Sequence, residues 1–370
     1  MIDKNPEKPN EVYFKHVDYV VKKAASLGIF IAMLPAWGDK WSRIWGVEKE
    51  IFTSENALIY GKYIGNRYKN QWNIIWVLGG DRNPTTEEHY KIIRNMAKGI
   101  SEGDAGKHLL TYHPSGSISS SSFFHNDKWL DFNMTQSGHD ERGAPNYLYT
   151  INNYMLNPAK PCLDGECRYE DIPVKFGQMK LDEAYKKNPY EMPDYLTPYG
   201  YYNDYDVRRA AYGSVFSGAC GHTYGNGSIW CFCDKGRFAP IAVKFSWQKA
   251  IFSPGAEDMG HLRKLIEKFG INNLQPDKTA ILYNTDISDN YVTALCAKDE
   301  STILAYSPKG EKFYVSLSKV KGNDLRLSWY NPRDGSYSEK TPISTNNLIY
   351  EAVPPSKGDG CDWVLIIENK

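Results

Sequence analysis

The sequence of 370 residues has no long hydrophobic run and no excess of charge of either sign. Its longest apolar runs, such as Ile29 to Ala36, fall far short of the roughly 20 residues that a bilayer-spanning helix needs, so we expect no membrane span. Lysine plus arginine number 44, as do aspartate plus glutamate, so no overall positive field favours nucleic acid as a partner. The opening Met-Ile-Asp-Lys-Asn-Pro also lacks the apolar stretch of a secretory signal.

Motifs for cofactors are missing as well. The seven cysteines form no C-x-x-C pair and no zinc-type spacing with histidine. The glycine-rich segment 218–227 lacks the G-x-G-x-x-G spacing and the Lys-Ser/Thr pair that bind phosphate. A metal site built from His113, His139 and His222 is conceivable, but these histidines follow different predicted strands and share no local ligand motif. We therefore expect neither a metal nor a cofactor.

Over the first 270 residues, apolar helical faces alternate with short apolar runs that end in polar or glycine-rich turns, a rhythm typical of parallel sheets. A tyrosine- and proline-rich insertion, about 171–203, interrupts this pattern. Six βα units predict an α/β fold, a TIM-type (β/α)8 barrel that lacks its first two βα units, with a doubly wound open sheet as the alternative. The predicted strands cover residues 29–37, 73–81, 109–114, 132–139, 161–166 and 221–225.

From about Gln275 the period changes. Short strand-like runs, such as 301–306 and 325–330, are separated by turn signals such as Asn331 to Gly335. This pattern predicts an all-β antiparallel sandwich. We therefore expect a barrel domain over residues 1–273 and a sandwich domain over residues 274–370.

Two carboxylates end predicted strands, where the catalytic groups of such barrels lie. Asp81 follows two glycines that allow close approach to the backbone, and Glu166 is followed by Arg168 and Tyr169. Glycoside hydrolysis requires such a pair, one carboxyl to protonate the leaving oxygen and one to attack or support the sugar carbon. Arg168 or a tyrosine hydroxyl is a candidate to keep the second carboxyl ionised. Each acid also has a purely structural interpretation, as a turn residue or as the cap of the next helix.

Aromatic residues make up 14% of the chain, and such rings serve either as sugar-stacking platforms or as core. Other polar and aromatic side chains lie at or just beyond the predicted strand ends. Each alone has a structural interpretation, but together they fit the rim of a sugar cleft. The predicted substrate-binding residues are Trp37, Asp39, His113, Gln136, His139, Tyr169, His222 and Tyr224.

Five strings in order carry a resemblance to a known family: LPAWGDKW (34–41), WVLGGDRN (76–83), TYHPSG (111–116), LDFNMTQSGH (130–139) and GHTYG (221–225). They resemble the apiosidase-like glycoside hydrolases, retaining (β/α)8-barrel glycosidases common in gut Bacteroidetes, over roughly residues 10 to 270. The C-terminal part resembles the small β-sandwich that often follows this barrel and is named a collagen-binding domain of a collagenase.

The resemblance implies that Asp81 is the acid/base and Glu166 the nucleophile, with carboxyl groups about 5 to 5.5 Å apart for retention. It implies a pectic plant oligosaccharide or polysaccharide as substrate, and a periplasmic or secreted location if an N-terminal segment precedes this sequence. The alternative is a non-catalytic carbohydrate- or matrix-binding protein with an incomplete barrel. Product release from an apiose-bearing pectic oligosaccharide distinguishes the two.

Overall fold

The structure, a computed structural model, describes residues 1–46, 49–178, 197–237, 239–283 and 287–369. Residues 179–196, most of the predicted insertion, lie outside this description. The described chain forms two compact units. The first comprises residues 1–136 and 156–161, and the second comprises residues 137–155 and 162–370.

The first unit contains a parallel sheet of three strands in the order β1-β2-β3, each preceded by a helix. Ile31 pairs with Ile74, and Leu78 pairs with Tyr112. The parallel pairing predicted for the first three strands is thus confirmed. The elements of this unit are α1 (Glu11–Ser26), β1 (Ile31–Met33), α2 (Ser54–Tyr68), β2 (Ile74–Leu78), α3 (Glu87–Asp104), β3 (Leu110–Tyr112), β4 (Ile118–Ser119), α4 (Ser121–Phe124) and β5 (Asn133–Gln136).

Helices α2 and α3 pack closely because glycines face each other. A methyl group on Gly61 would lie 2.6 Å from the backbone oxygen of Met96, and one on Gly99 would lie 2.3 Å from that of Leu58. Neither glycine can therefore carry a side chain without moving a backbone. The apolar run of β2 is sandwiched in this core, with Trp76 fully buried.

The second unit begins with α5 (Asn146–Tyr154) and β6 (Cys162–Glu166), followed by α6 (Asp204–Val215), α7 (Gly227–Trp230), α8 (Trp247–Ala250) and α9 (Pro254–Phe269). The strand predicted over 221–225 is not continuous among the described residues. Its place is taken by isolated parallel bridges, Asp164 to His222 and Glu170 to Asn226. The run is short and rich in glycine, which disfavours a regular strand.

Beyond α9 the unit is antiparallel, as the change of period predicted. A six-stranded sheet has the order β13-β12-β15-β10-β9-β7, and a three-stranded sheet has the order β14-β11-β8. The strands are β7 (Leu274–Pro276), β8 (Ile281–Leu282), β9 (Thr293–Ala297), β10 (Thr302–Ser307), β11 (Phe313–Ser316), β12 (Leu325–Tyr330), β13 (Thr341–Pro342), β14 (Ile349–Ala352) and β15 (Trp363–Asn369).

The central strands of the larger sheet are buried on both faces. On β10, Ile303 and Ala305 belong to the core shared with the smaller sheet, whereas Leu304 and Tyr306 pack with residues of α6 and α9. Alternate residues point to opposite faces of a strand, so both faces must be apolar here. None of the helices described in either unit is long and apolar enough to cross a membrane.

Candidate active site

Asp81 lies in a left-handed turn directly after β2. Gly79, Gly80 and Asp81 have φ angles of 94°, 72° and 68°. Only glycine adopts this region without cost, so the backbone at Asp81 is strained. A methyl group on Gly79 would lie 2.3 Å from the backbone oxygen of His113, and one on Gly80 would lie 2.7 Å from the backbone nitrogen of Gly38. The two glycines therefore permit the close backbone approach that the sequence predicted.

Hydrogen bonds from several elements hold this turn. The indole nitrogen of Trp41 donates to Gly79 O at 3.0 Å, and the backbone nitrogen of Gly38 donates to Gly80 O at 3.1 Å. The buried guanidinium of Arg82 donates to the backbone oxygen of Asp81, and Tyr112 Oη donates to that of Arg82. The segment that presents Asp81 is thus fixed at four consecutive residues.

Asp39, predicted to bind substrate, supports this turn. Its Oδ1 accepts hydrogen bonds from the backbone nitrogens of Ile44 at 2.8 Å and Trp45 at 3.2 Å, and from the Arg82 guanidinium. Burial favours the neutral acid, but these hydrogen bonds and the Arg82 charge outweigh it and lower the pKa of Asp39 to about 2. The carboxylate is therefore ionised and paired with Arg82.

Three other predicted residues of the first unit lie near strand ends. Trp37, whose side chain is 45% exposed, precedes the turn at Gly38. His113 is buried directly after β3, and one of its ring nitrogens lies within 4.8 Å of a carboxylate oxygen of Asp81. Gln136 is buried at the end of β5, where its backbone oxygen accepts from Ser117 N at 2.8 Å. The structure brings His113 to Asp81, as the strand-end rule predicts.

Glu166 ends β6 in the second unit, and its side chain is 19% exposed. Its Oε1 lies 3.0 Å from Nε2 of His139. The His139 ring also meets the ring of Tyr169 edge-on, with centroids 4.6 Å apart, and the hydroxyl of Tyr202 donates to the His139 backbone oxygen at 2.7 Å. Three predicted residues, Glu166, His139 and Tyr169, therefore form one cluster.

Two buried charged residues, Asp164 and Arg168, lie close to Glu166 in the sequence. Asp164 is buried, and it accepts hydrogen bonds from Ser137 Oγ at 2.8 Å and from the Asn146 amide at 3.1 Å. Burial raises the pKa of Asp164. Arg168, considered above as a partner of Glu166, is buried and donates to the backbone oxygen of Ala144, and burial lowers its pKa.

His222 and Tyr224 contact partners other than Glu166. The ring of His222 lies 3.5 Å from Sγ of Cys167, and burial, together with the Arg168 charge, lowers the pKa of His222 to about 4. Tyr224 donates its hydroxyl proton to the buried carboxylate of Glu170 at 2.6 Å. Glu170 is a site neighbour that sequence reasoning missed, because no local motif relates it to a tyrosine 54 residues away. His222 and Tyr224 also line an apolar cavity of about 410 Å³ beside α9.

Two family matches together cover nearly all of the chain. Residues 1–273 match the family described as "Apiosidase-like, catalytic domain". Residues 275–368 match the family described as "Putative collagen-binding domain of a collagenase". The search of curated proteins finds no match.

Several solved structures resemble this chain. One described as a glycoside hydrolase is 29% identical with a TM-score of 0.82, and the alignment covers 97% of this chain and 77% of that chain. A family 5 glycoside hydrolase from Bacteroides vulgatus is 30% identical with a TM-score of 0.81, with 97% and 74% covered. A structure described as a "putative glycoside hydrolase" from the same organism is 16% identical with a TM-score of 0.62, with 97% and 63% covered, and shows similarity of fold alone.

Proposed function

Because the chain belongs to the apiosidase-like family of glycoside hydrolases, we propose that it hydrolyses a pectic plant glycan by a retaining mechanism with two carboxylates, Asp81 and Glu166. The single observation that carries the proposal is the strained left-handed turn at Asp81, directly after a parallel strand. Backbone strain of this kind clusters at active sites, and at Asp81 it coincides with the end of a parallel strand. The contact of Glu166 with His139 in the second unit supports the second assignment.

The two carboxylates have different roles in the proposed reaction. Asp81, protonated, donates its proton to the glycosidic oxygen while a carboxylate oxygen of Glu166 bonds to the anomeric carbon and the leaving sugar departs. Ionised Asp81 then takes a proton from water, which attacks the same carbon and releases Glu166. With a proton on Nε2, His139 donates to Glu166 and favours the ionised form that attack requires.

The residues predicted to bind substrate fall into two groups. Trp37, His113, Gln136, His139 and Tyr169 remain the proposed binding residues. Asp39 accepts a hydrogen bond from Arg82, Tyr224 donates one to Glu170, and His222 contacts Cys167. We therefore assign these three residues to support of the site.

We also propose the finer fold assignment, a TIM-type barrel of which this sequence carries six βα units, followed by a sandwich from residue 274. The parallel order β1-β2-β3, with α2 and α3 as its crossover helices, supports the barrel assignment. The parallel bridge from Asp164 to His222 supports it in the second unit.

Substitution of each carboxylate tests the mechanism. We expect D81N and E166Q each to lower the rate of sugar release from an apiose-bearing pectic oligosaccharide by about a hundredfold or more. E102Q, which changes a side chain 42% exposed on α3, is the matched control and should retain full activity. ¹H NMR of the first product should show the anomeric configuration of the substrate.

Each outcome has a defined meaning. Near-wild-type turnover by D81N or by E166Q would remove that residue from the mechanism, and an inverted product anomer would contradict the retaining assignment. Saturable binding of the oligosaccharide without any product from the wild-type chain would favour the non-catalytic alternative.

A further inference from the structure

The segment that carries His139 is anchored at both of its ends. At the inner end, the backbone nitrogen of Gly138 donates to Glu166 O at 3.1 Å, and the His139 ring lies 3.0 Å from the Glu166 carboxylate. The hydroxyl of Tyr202 holds the His139 backbone oxygen at 2.7 Å. Glu166 therefore depends on the position of this loop.

The outer end of the same loop is held by α6. Arg142 donates to Oδ2 of Asp206 at 2.5 Å and to the backbone oxygen of Tyr201 at 2.8 Å. Arg142 is also an acceptor, because the guanidinium of Arg209, on α6, donates to its backbone oxygen. Arg142 lies only three positions after His139, so a shift at this point is transmitted to the histidine.

The C-terminal sandwich contacts this arrangement through residues 288–291, the segment that we call the 288–291 loop. The rings of Tyr147 and Tyr291 stack with centroids 4.5 Å apart and planes 5° apart. The hydroxyl of Tyr147, on α5, donates to the backbone oxygen of Ser288 at 3.1 Å. Oδ2 of Asp289 lies 3.5 Å from Nη1 of Arg209, the side chain that holds Arg142.

We propose that the 288–291 loop is a positioning element of the active site, which fixes the loop 137–145 so that His139 keeps the Glu166 carboxylate in place. This inference rests on the proposed role of Glu166 as nucleophile. It assigns the sandwich domain a positioning role, through contacts from Asp289 to Arg209 and from Arg209 to Arg142. Tyr291 acts through Tyr147 on α5, the helix that directly follows this loop in the chain. Displacement of a reacting group by about 1 Å can cost a hundredfold in rate, so a modest shift of His139 is measurable.

Two pairs of variants in the full chain test the loop. Y291A removes the stacked ring, whereas Y291F keeps it. D289N weakens the attraction of Asp289 for both Arg209 and Lys309, whereas K309M removes only the lysine, which lies 2.7 Å from Asp289. Y350A, at a half-buried position on β14 in the smaller sheet, controls for general weakening of the sandwich.

We expect Y291A and D289N to lower kcat on the apiose-bearing oligosaccharide about tenfold while KM changes less than twofold. Y291F, K309M and Y350A should retain the wild-type kcat. The ring ¹H–¹³C NMR signal of His139, assigned by its loss in H139Q, should move in Y291A and D289N and stay in place in the three controls.

An unchanged kcat together with an unchanged His139 signal in Y291A would overturn the inference. So would an equal loss of kcat in Y350A, because weakening of the sandwich would then suffice. If the wild-type chain releases no sugar, the proposed function fails, whereas the His139 signal still decides whether the 288–291 loop positions this histidine.

Discussion

At the scale of single residues, Asp39 and Arg82 form a buried ion pair next to Asp81. The Arg82 side chain is fully buried, and the Asp39 side chain is 11% exposed. A buried charge that loses its partner is strongly destabilising. The pair keeps Arg82 in place, and Arg82 in turn bonds to the backbone of Asp81.

The lowered pKa of Asp39 predicts a dependence of stability on acid. The folded-state pKa is about 2 and the ordinary value is 3.8, so the stabilisation by ionised Asp39 is complete above about pH 4 and is lost as the pH falls towards 2. This difference is worth about 2 kcal/mol. We therefore expect D39N to lower the free energy of unfolding by about 3 kcal/mol at pH 7, with a smaller deficit at pH 2.5.

Urea unfolding of the wild type and D39N between pH 2.5 and 7 measures this deficit. D127N is the matched control, because Asp127 pairs with the half-exposed Arg94 and its loss should cost about 1 kcal/mol or less. An equal deficit for D39N at both ends of the pH range would show that the ionisation of Asp39 does not stabilise the fold.

The sequence predicted individual candidate residues of the site, but it did not predict which of them contact each other. The strand-end rule selected Asp81, His113, His139 and Glu166 as site candidates. The contacts of His139 with Glu166 and of Tyr224 with Glu170 join residues 27 and 54 positions apart. No local pattern encodes such spacings, because they depend on the path of the chain between strands.

At the scale of elements, continuous apolar runs were the reliable signal. The predicted strands over 73–81 and 325–330 contain β2 and β12, whose side chains lie largely in the core. Strand β13 is exposed and strand β14 is only partly buried, so neither carries a continuous apolar run. Hydrophobic pattern reports burial, so a strand that buries little leaves no mark in the sequence.

Helix α6 links to the sandwich through a buried ionic group. Arg208, on α6, donates to both carboxylate oxygens of Asp362 at 2.9 Å and to Asp258, on α9, at 2.7 Å. All three side chains are at most 5% exposed. The group thus joins two helices to the residue that precedes β15.

Removal of one charge from this group should be costly. We expect D362N to lower the free energy of unfolding by about 3 to 5 kcal/mol, because it leaves the buried Arg208 guanidinium short of a carboxylate. The control is E267Q, which removes the exposed pair of Arg263 and Glu267 on α9 and should cost about 0.5 kcal/mol or less. Urea unfolding at pH 7 measures both. A D362N loss as small as that of E267Q would contradict the structural importance of the group.

At the scale of the whole molecule, residues before and after the predicted division at residue 273 share one core in the second unit. One face of the larger sheet shares a core with α6 and α9. Residues from both sides of the division belong to this core: Ala211, Tyr212, Val215, Phe216, Leu262, Leu265 and Ile266 on one side, and Leu274, Leu295, Leu304, Tyr306, Tyr330, Val364 and Ile366 on the other. The sandwich is therefore part of the fold of the second unit.

This shared core predicts the behaviour of a chain truncated after residue 273. Such a chain exposes the apolar faces of α6 and α9 and loses the carboxylate of Asp362 from buried Arg208. We expect residues 1–273 alone to bind the dye ANS and to lack the cooperative unfolding transition of the second unit, whereas the full chain shows that transition without dye binding. Separately produced residues 274–370, added in excess, should reduce the dye signal by covering the exposed faces. Cooperative unfolding of residues 1–273 at the full-chain midpoint, without dye binding, would show that the sandwich is not required for this fold.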